Sequence, residues 1–168
     1  DSSDYRLPNC KGSSKRGSSL DPSGYDAGKK IKGRKRHILV DTLGLLLNVV
    51  VHPADVQDRD GAFHLLRRAR RLFPFIERIF ADGGYAGPKM AKVVWRTGRW
   101  RLQIVKRSDV AGFEVLPKRW IVERTFAWIS RNRRLARDFE RYAMTVAAFV
   151  RLAMIRIMLR RLAVNASS

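Results

Sequence analysis

Residues 37–52 read HILVDTLGLLLNVVVH. Two β-rich runs, 37–41 and 45–51, flank Thr42-Leu43-Gly44, the pattern of an antiparallel hairpin. The second run is almost wholly apolar, as expected for a strand covered on both faces. Such a strand needs a layer on each side, and the sequence downstream supplies candidates. Residues 55–73 predict a helix, with Asp58 or Asp60 as cap and Phe63, Leu66 and Leu72 near one face. Residues 76–81 predict a short strand ending at Asp82-Gly83-Gly84, and Pro88 opens a second helix to about Arg96. Residues 101–105, RLQIV, alternate as a half-buried strand does. A long helix is expected from about Pro117 to Arg141 and a last one from about Thr145 to Leu162. In the last, Val146, Phe149, Leu152, Ile155, Leu159 and Leu162 step by three and four, giving one apolar stripe. The order is hairpin, helix, strand, helix, strand, helix, helix. It predicts an α/β layer fold with a mixed sheet.

Upstream of the hairpin, residues 24–37, GYDAGKKIKGRKRH, form a glycine-punctuated basic segment. Residues 1–23 are rich in Ser, Lys, Gly and Asp, lack apolar periodicity, and read as an irregular arm. The chain of 168 residues suits one domain, taken as 24–164. Lys and Arg number 35 against 15 Asp and Glu, a formal charge of +20. That excess repels itself unless a polyanion neutralises it, so nucleic acid is the leading partner. A basic structural protein of the ribosomal kind stays open on charge alone. The single cysteine, Cys10, excludes a disulfide framework or a cysteine zinc site within the chain and fits a reducing cytosol. The N-terminus has no signal-peptide pattern. Asp41 and Asn48 interrupt the apolar stretch 38–51, and four arginines interrupt the C-terminal one, so neither reads as a membrane span. The expected location is the cytoplasm.

Two acids stand out. Asp82 ends an apolar strand and is followed by two glycines, which would let the backbone turn sharply and leave space for a ligand beside the carboxylate. The same residues also read as a plain Asp-Gly turn. Glu123 lies in PKRWIVERTFAWISRNRRLARDFE, on the flank of a stripe of Val122, Phe126 and Ile129. Trp120, Ala127, Arg131 and Arg134 share its side. A surface glutamate paired with Arg119 is the alternative. The basic candidates for phosphate contact are Lys29, Lys30, Lys32, Arg34, Lys35 and Arg36 before the hairpin, and Arg131, Arg133 and Arg134 on the long helix. Trp95, Trp100, Trp120 and Trp128 could stack on bases, although helical tryptophan is more often core. His37, His52 and His64 show no zinc-ligand spacing.

Four stretches together, GYDAGKKIKGRKRHILVDTLGLLLNVVVHPADVQDRDGA, FADGGYAG, QIVKRSD and FEVLPKRWIVERTFAWISRNRRLARDFE, closely resemble the insertion-sequence-five family of bacterial transposases. The resemblance runs in order over roughly residues 20 to 162. It implies a ribonuclease-H-like mixed sheet flanked by helices and an Asp-Asp-Glu triad. Two divalent cations, Mg2+ or Mn2+, would lie between the carboxylates for cutting and joining DNA strands. By motif, Asp82 corresponds to the second Asp and Glu123 to the Glu, and Arg119 stands where the family's helix carries an arginine. Leu116 and Ser130 replace that helix's tyrosine and lysine, with Arg131 beside the latter. DNA is the implied partner, and a homo-oligomer on DNA is compatible with it.

The first triad Asp belongs on a strand in a motif resembling Ile-Asp-Ser-Gln-x-Val-Lys, and residues 1–11, DSSDYRLPNCK, hold no such motif. Asp41 matches a different position of the pattern. Residues 5–11 can be encoded as TAT CGA CTC CCA AAC TGT AAA. Read one base later, the same bases give Ile-Asp-Ser-Gln-Thr-Val, and the last two with the G that opens the Gly12 codon give Lys. The expectation is that residues 1–11 are out of frame and the first strand is missing or degraded. The chain is then weakly active alone, or a catalytically dead DNA-binding relic.

Overall fold

The computed structural model describes residues 10–11, 23–28, 30–105 and 119–166. The hairpin is its centre. β3 (Ile31–Val40) pairs antiparallel with β4 (Leu46–Pro53), from Arg34 opposite Pro53 to Val40 opposite Leu46, with a bulge beside Leu39. β2 (Gly24–Asp26) continues the line of β4 along the start of β3, and β1 (Cys10–Lys11) lies on the other edge of β3. β5 (Arg78–Asp82) and β6 (Arg101–Val105) form a separate parallel pair. Among the described residues there are four α-helices: α1 (Asp58–Leu72), α2 (Pro88–Gly98), α3 (Arg119–Ser130) and α4 (Ala143–Ala166). The mixed α/β class therefore holds, built from two sheets.

Alternation along the hairpin places a core on each face. Val49, with Ile38 and Val51, packs against α4 through Val146, Ala147, Val150, Ala153 and Met154, and against Ile129 of α3. The opposite face, through Leu39, meets α1 at Ala62, Leu66 and Ala69, together with Ile79, Met90, Val94 and Trp100. The buried Asn48 amide donates to Leu65 O at 2.9 Å, tying β4 to α1.

Several sequence expectations shift. The N-cap of α1 is Gln57, without a side-chain cap; Asp58 and Asp60 lie in the first turn instead, where their charge suits the helix dipole. Phe63 and Leu72 are exposed, and the packed face is the narrower row of Ala62, Leu65, Leu66 and Ala69. The long helix ends at Ser130. There the Asn132 amide bonds back to Trp128 O and Ile129 O, and Leu135 N bonds Asn132 O, which replaces the helical ladder by turns. On α4, Leu152, Ile155, Leu159 and Leu162 are exposed. That helix is apolar nearly all round, so steps of three and four fit more than one face. The sheet takes the face with Ala147 and Ala153, whose small side chains allow close approach.

The largest departure concerns the basic segment, which is strand from Ile31 onward. Arg34 is buried at 1 % exposure. Its guanidinium makes a bidentate pair with Asp138, Nε to Oδ2 at 2.8 Å and Nη2 to Oδ1 at 2.6 Å, and also donates to Glu140 O. Arg36, also buried, donates to Leu135 O at 2.9 Å. Removing one partner of a buried pair strands the other charge. Asp138→Asn should therefore destabilise the chain by about 3–5 kcal/mol, read as a fall in the urea midpoint. The double change Arg34→Met with Asp138→Leu should cost far less. Equal losses would show that the pair contributes only packing.

Candidate active site and basic surfaces

Asp82 is the last residue of β5 and caps the 3₁₀ turn Gly83–Tyr85, its Oδ1 accepting from Gly84 N at 3.0 Å. Neither glycine has a positive φ, so the turn itself does not demand them. What Gly83 provides is space: a Cβ there would meet nothing within 4 Å. Asp82 is half-buried beside that opening.

The turn is anchored from behind. Tyr85 hydroxyl lies 3.3 Å from His37 Nδ1, and the His37 ring stacks on His52 at 4.4 Å between centroids. Burial raises the Tyr85 pKa, and the nearby Asp58 and Asp82 carboxylates raise it further, so the phenol stays protonated and can donate to the imidazole. Burial is also the main cause that lowers His37, to about 3, with the neighbouring His52 adding to it; burial likewise lowers His52. Both rings are neutral at pH 7. Gly61 of α1 sits against them, where a Cβ would lie 2.2 Å from His52 Nε2 and 2.9 Å from His37 Nε2. Any larger residue at 61 would push α1 off the hairpin.

Glu123 is exposed on α3, on a face with the exposed Trp120 and Ala127. Its helix is mounted on the hairpin turn by its two neighbours. Arg124 donates to Leu43 O at 2.8 Å while lying over Trp120 and Trp128, 4.3 and 4.8 Å from their ring centroids. Thr125, wholly buried, donates to Gly44 O at 2.8 Å. Gly44 has φ +78°, and a Cβ there would come 2.9 Å from Thr125 Oγ1, so only glycine fits this mount. Nothing in the sequence reading singled out Arg124, Thr125 or Tyr85. The signal was available in the turn Thr42-Leu43-Gly44, whose glycine had to face something.

The basic candidates divide. Lys29 and the side chain of Arg119 lie outside the described residues. Lys30 and Lys32 are exposed. Lys35 is committed internally, to Val56 O at 3.1 Å, Asp58 at 3.3 Å and Asp26 at 3.4 Å. Arg34 and Arg36 are core ties, which corrects their assignment to phosphate contact: both faces of the central strand are covered, so alternation sends them inward. Arg131 and Arg133 are exposed in the turns after α3. Arg134 is exposed but pairs with Glu140 at 2.6 Å and lies over Phe149 at 4.4 Å. Arg67, Arg68, Arg70 and Arg71 of α1, outside the basic candidates named from sequence, are all exposed.

Carboxylates are the donors a hard divalent cation takes. Among the described residues, however, no group of three or more His, Cys, Asp or Glu side chains is disposed to hold a metal ion. Asp82 and Glu123 therefore do not make a complete metal centre with the other described side chains. No described helix is long and apolar enough to cross a membrane.

A family model described as the transposase DDE domain matches residues 1–158. The chain belongs to that transposase family. It is also 33% identical, over 128 residues, to a protein of Burkholderia cepacia provisionally named as a transposase for insertion sequence element IS402. The match covers 71% of this chain and 60% of that relative's length. No solved structure matches the chain. The transposase domain thus carries Asp82 and Glu123 on separate elements, each fixed by buried neighbours.

The anchoring histidines make stability acid-sensitive. Their folded pKa values lie below the ordinary 6.5 of the unfolded chain, so the unfolded state takes up more protons as pH falls. The His37 contribution is complete above about pH 6.5 and is lost between there and about pH 3, at up to about 1.4 kcal/mol per pH unit, and the lowered His52 acts in the same direction. His37→Gln should flatten the fall of the urea midpoint across that window. An unchanged pH slope would refute the neutral stack.

Proposed function

We propose that this transposase-family chain is the catalytic domain of an insertion-sequence transposase, with a ribonuclease-H-like arrangement, acting on DNA by phosphoryl transfer. Asp82 and Glu123 would be two of its three metal-holding acids, with Mg2+ or Mn2+ as the ions. The observation that carries this reading is a strand-end aspartate and a helix glutamate, at motif-matched positions, within a family match spanning residues 1–158. When bound, divalent ions would supply charge neutralisation at the attacking and leaving oxygens. The described side chains have other tasks. Asp82 and its turn are held against the sheet by Tyr85 and His37. Arg124 and Thr125 hold the Glu123 helix on the hairpin turn. Lys30, Lys32, Arg131 and Arg133 are free to meet phosphates.

The sheet topology supports a place for the third acid. Among the described residues, the edge of β3 opposite β4 is paired only through Cys10 with Arg34 and Lys11 with Gly33. A strand continued in that register would run past Lys35 to Leu39. The motif recovered by a one-base shift would occupy that edge and bring its aspartate into the sheet. The lack of the first-acid motif in residues 1–11 favours a second reading, a DNA-binding protein that no longer cuts.

The test is magnesium-dependent cleavage of the element's own ends, comparing this chain with one whose residues 5–11 read Ile-Asp-Ser-Gln-Thr-Val-Lys. Both should bind duplex DNA with a steep salt dependence. The chain as it stands should cut at least about 100-fold more slowly, since misplacing a reacting group by about 1 Å already costs about that much. Equal, robust cutting by both would show that the third acid comes from elsewhere. No cutting by either would favour the relic.

A further inference from the structure

We propose that the outer face of α1 binds a second DNA duplex, on the opposite side of the hairpin sheet from the basic surface that follows α3. The proposal rests on the transposase reading and adds a binding surface to it. Arg67, Arg68, Arg70 and Arg71 are all exposed. At about 100° per residue they span an arc of about 160° around the helix. The buried row of Ala62, Leu65, Leu66 and Ala69 lies on the reverse side, against the hairpin. The four guanidiniums therefore point away from the protein.

Among the described residues, no acid pairs with them. Residues 61–76 contain no Asp or Glu. The ion pairs given by the described residues join Arg34, Lys35 and Arg134 to acids, and none involves this face. The helix dipole accounts for Arg70 and Arg71 in the last turn, but not for Arg67 and Arg68 a turn earlier. Four charges within about 6 Å of helix axis repel one another unless a polyanion screens them. No described residue beside them offers a recognition pattern, so the expected contact is with backbone phosphates, indifferent to base sequence.

The sidedness adds the second duplex. α1 covers the face of the sheet that carries Leu39, whereas Ile129 of α3 and the whole packed face of α4 lie on the face that carries Ile38 and Val49. Arg131 and Arg133 follow α3 directly. One straight duplex cannot lie on both surfaces, because the sheet and a helix layer stand between them. A strand-transfer enzyme must hold two DNA segments, the one it cuts and the one it joins to, and opposed basic surfaces suit that task.

The experiment measures the molar ratio of short duplex to chain by sedimentation at low salt, with energy transfer between donor-labelled and acceptor-labelled duplexes. The parent chain should take two duplexes per chain and bring the labels together. The quadruple variant Arg67→Gln, Arg68→Gln, Arg70→Gln, Arg71→Gln should take one, lose the transfer signal, and keep the parent's far-ultraviolet circular dichroism. The separate pair Arg131→Gln, Arg133→Gln should also reduce the ratio to one while leaving the α1 duplex bound. Adding the quadruple change to that pair should then abolish the remaining binding, with a fall of about one ion in the salt slope per lost contact. A parent ratio of one, or a quadruple variant that still bridges two duplexes, overturns the second surface and leaves the transposase reading intact. A parent that binds no duplex overturns both.

Discussion

A buried guanidinium ties the chain together. Arg34 sits in the middle of the central strand at 1 % exposure and holds Asp138 in two hydrogen bonds and the Glu140 carbonyl in a third. Arg36, two residues on, holds the Leu135 carbonyl from the same face of the strand. These bonds fix the turns after α3 to the sheet and so set where α4 begins. They reach the exposed surface through one more step: Glu140, anchored by its carbonyl, offers its carboxylate to Arg134. A strand that appears in the sequence as a solvated basic run is thus, over half its length, the internal frame of the domain. Taking an arginine out of water is costly, and the cost is offset through Nε and Nη2, which end on oxygens placed for them, while Nη1 is buried without a hydrogen-bond partner among the described residues.

The parts of the fold legible in the sequence are those governed by local rules. The hairpin, the proline that opens α2, the alternating strand 101–105 and the strand end at Asp82 all rest on turn chemistry or on period-two patterning. The parts that were not legible depend on partners far along the chain. The burial of Arg34 requires Asp138, more than a hundred residues away. The break after Ser130 depends on one asparagine amide turning back on its own helix. The packed face of α4 is decided by the shape of β4, because the helix is apolar on several sides. For the candidate site, the two acids were legible by motif, but their mounts were not. Tyr85 and His37 behind Asp82, and Arg124, Thr125 and Gly44 around Glu123, are tertiary arrangements.

Charge is distributed by the same logic. Of the six basic residues before the hairpin, Arg34, Lys35 and Arg36 turn inward, so apart from the exposed Lys30 and Lys32 most of the described surface charge that remains for a polyanion lies elsewhere. It lies on α1, in the turns after α3, and along α4. Each of these is an exposed face of a helix or loop whose other side packs a core, which leaves long cationic side chains free to reach phosphates. The site acids lie on elements held by Tyr85 against His37 and by Arg124 and Thr125 against the hairpin turn. A basic domain can keep carboxylates available only where its own arginines are already occupied or point away.

The central claim is that Asp82 and Glu123 serve one cation site. It is tested most directly by calorimetric titration of Mn2+ into the parent chain, Asp82→Asn, Glu123→Gln and the double variant. If both carboxylates hold the same ion, each single change weakens binding nearly as much as the two together, and the cycle shows strong coupling. If the two effects simply add, or if one variant binds as the parent does, the carboxylates act separately and the shared site is wrong.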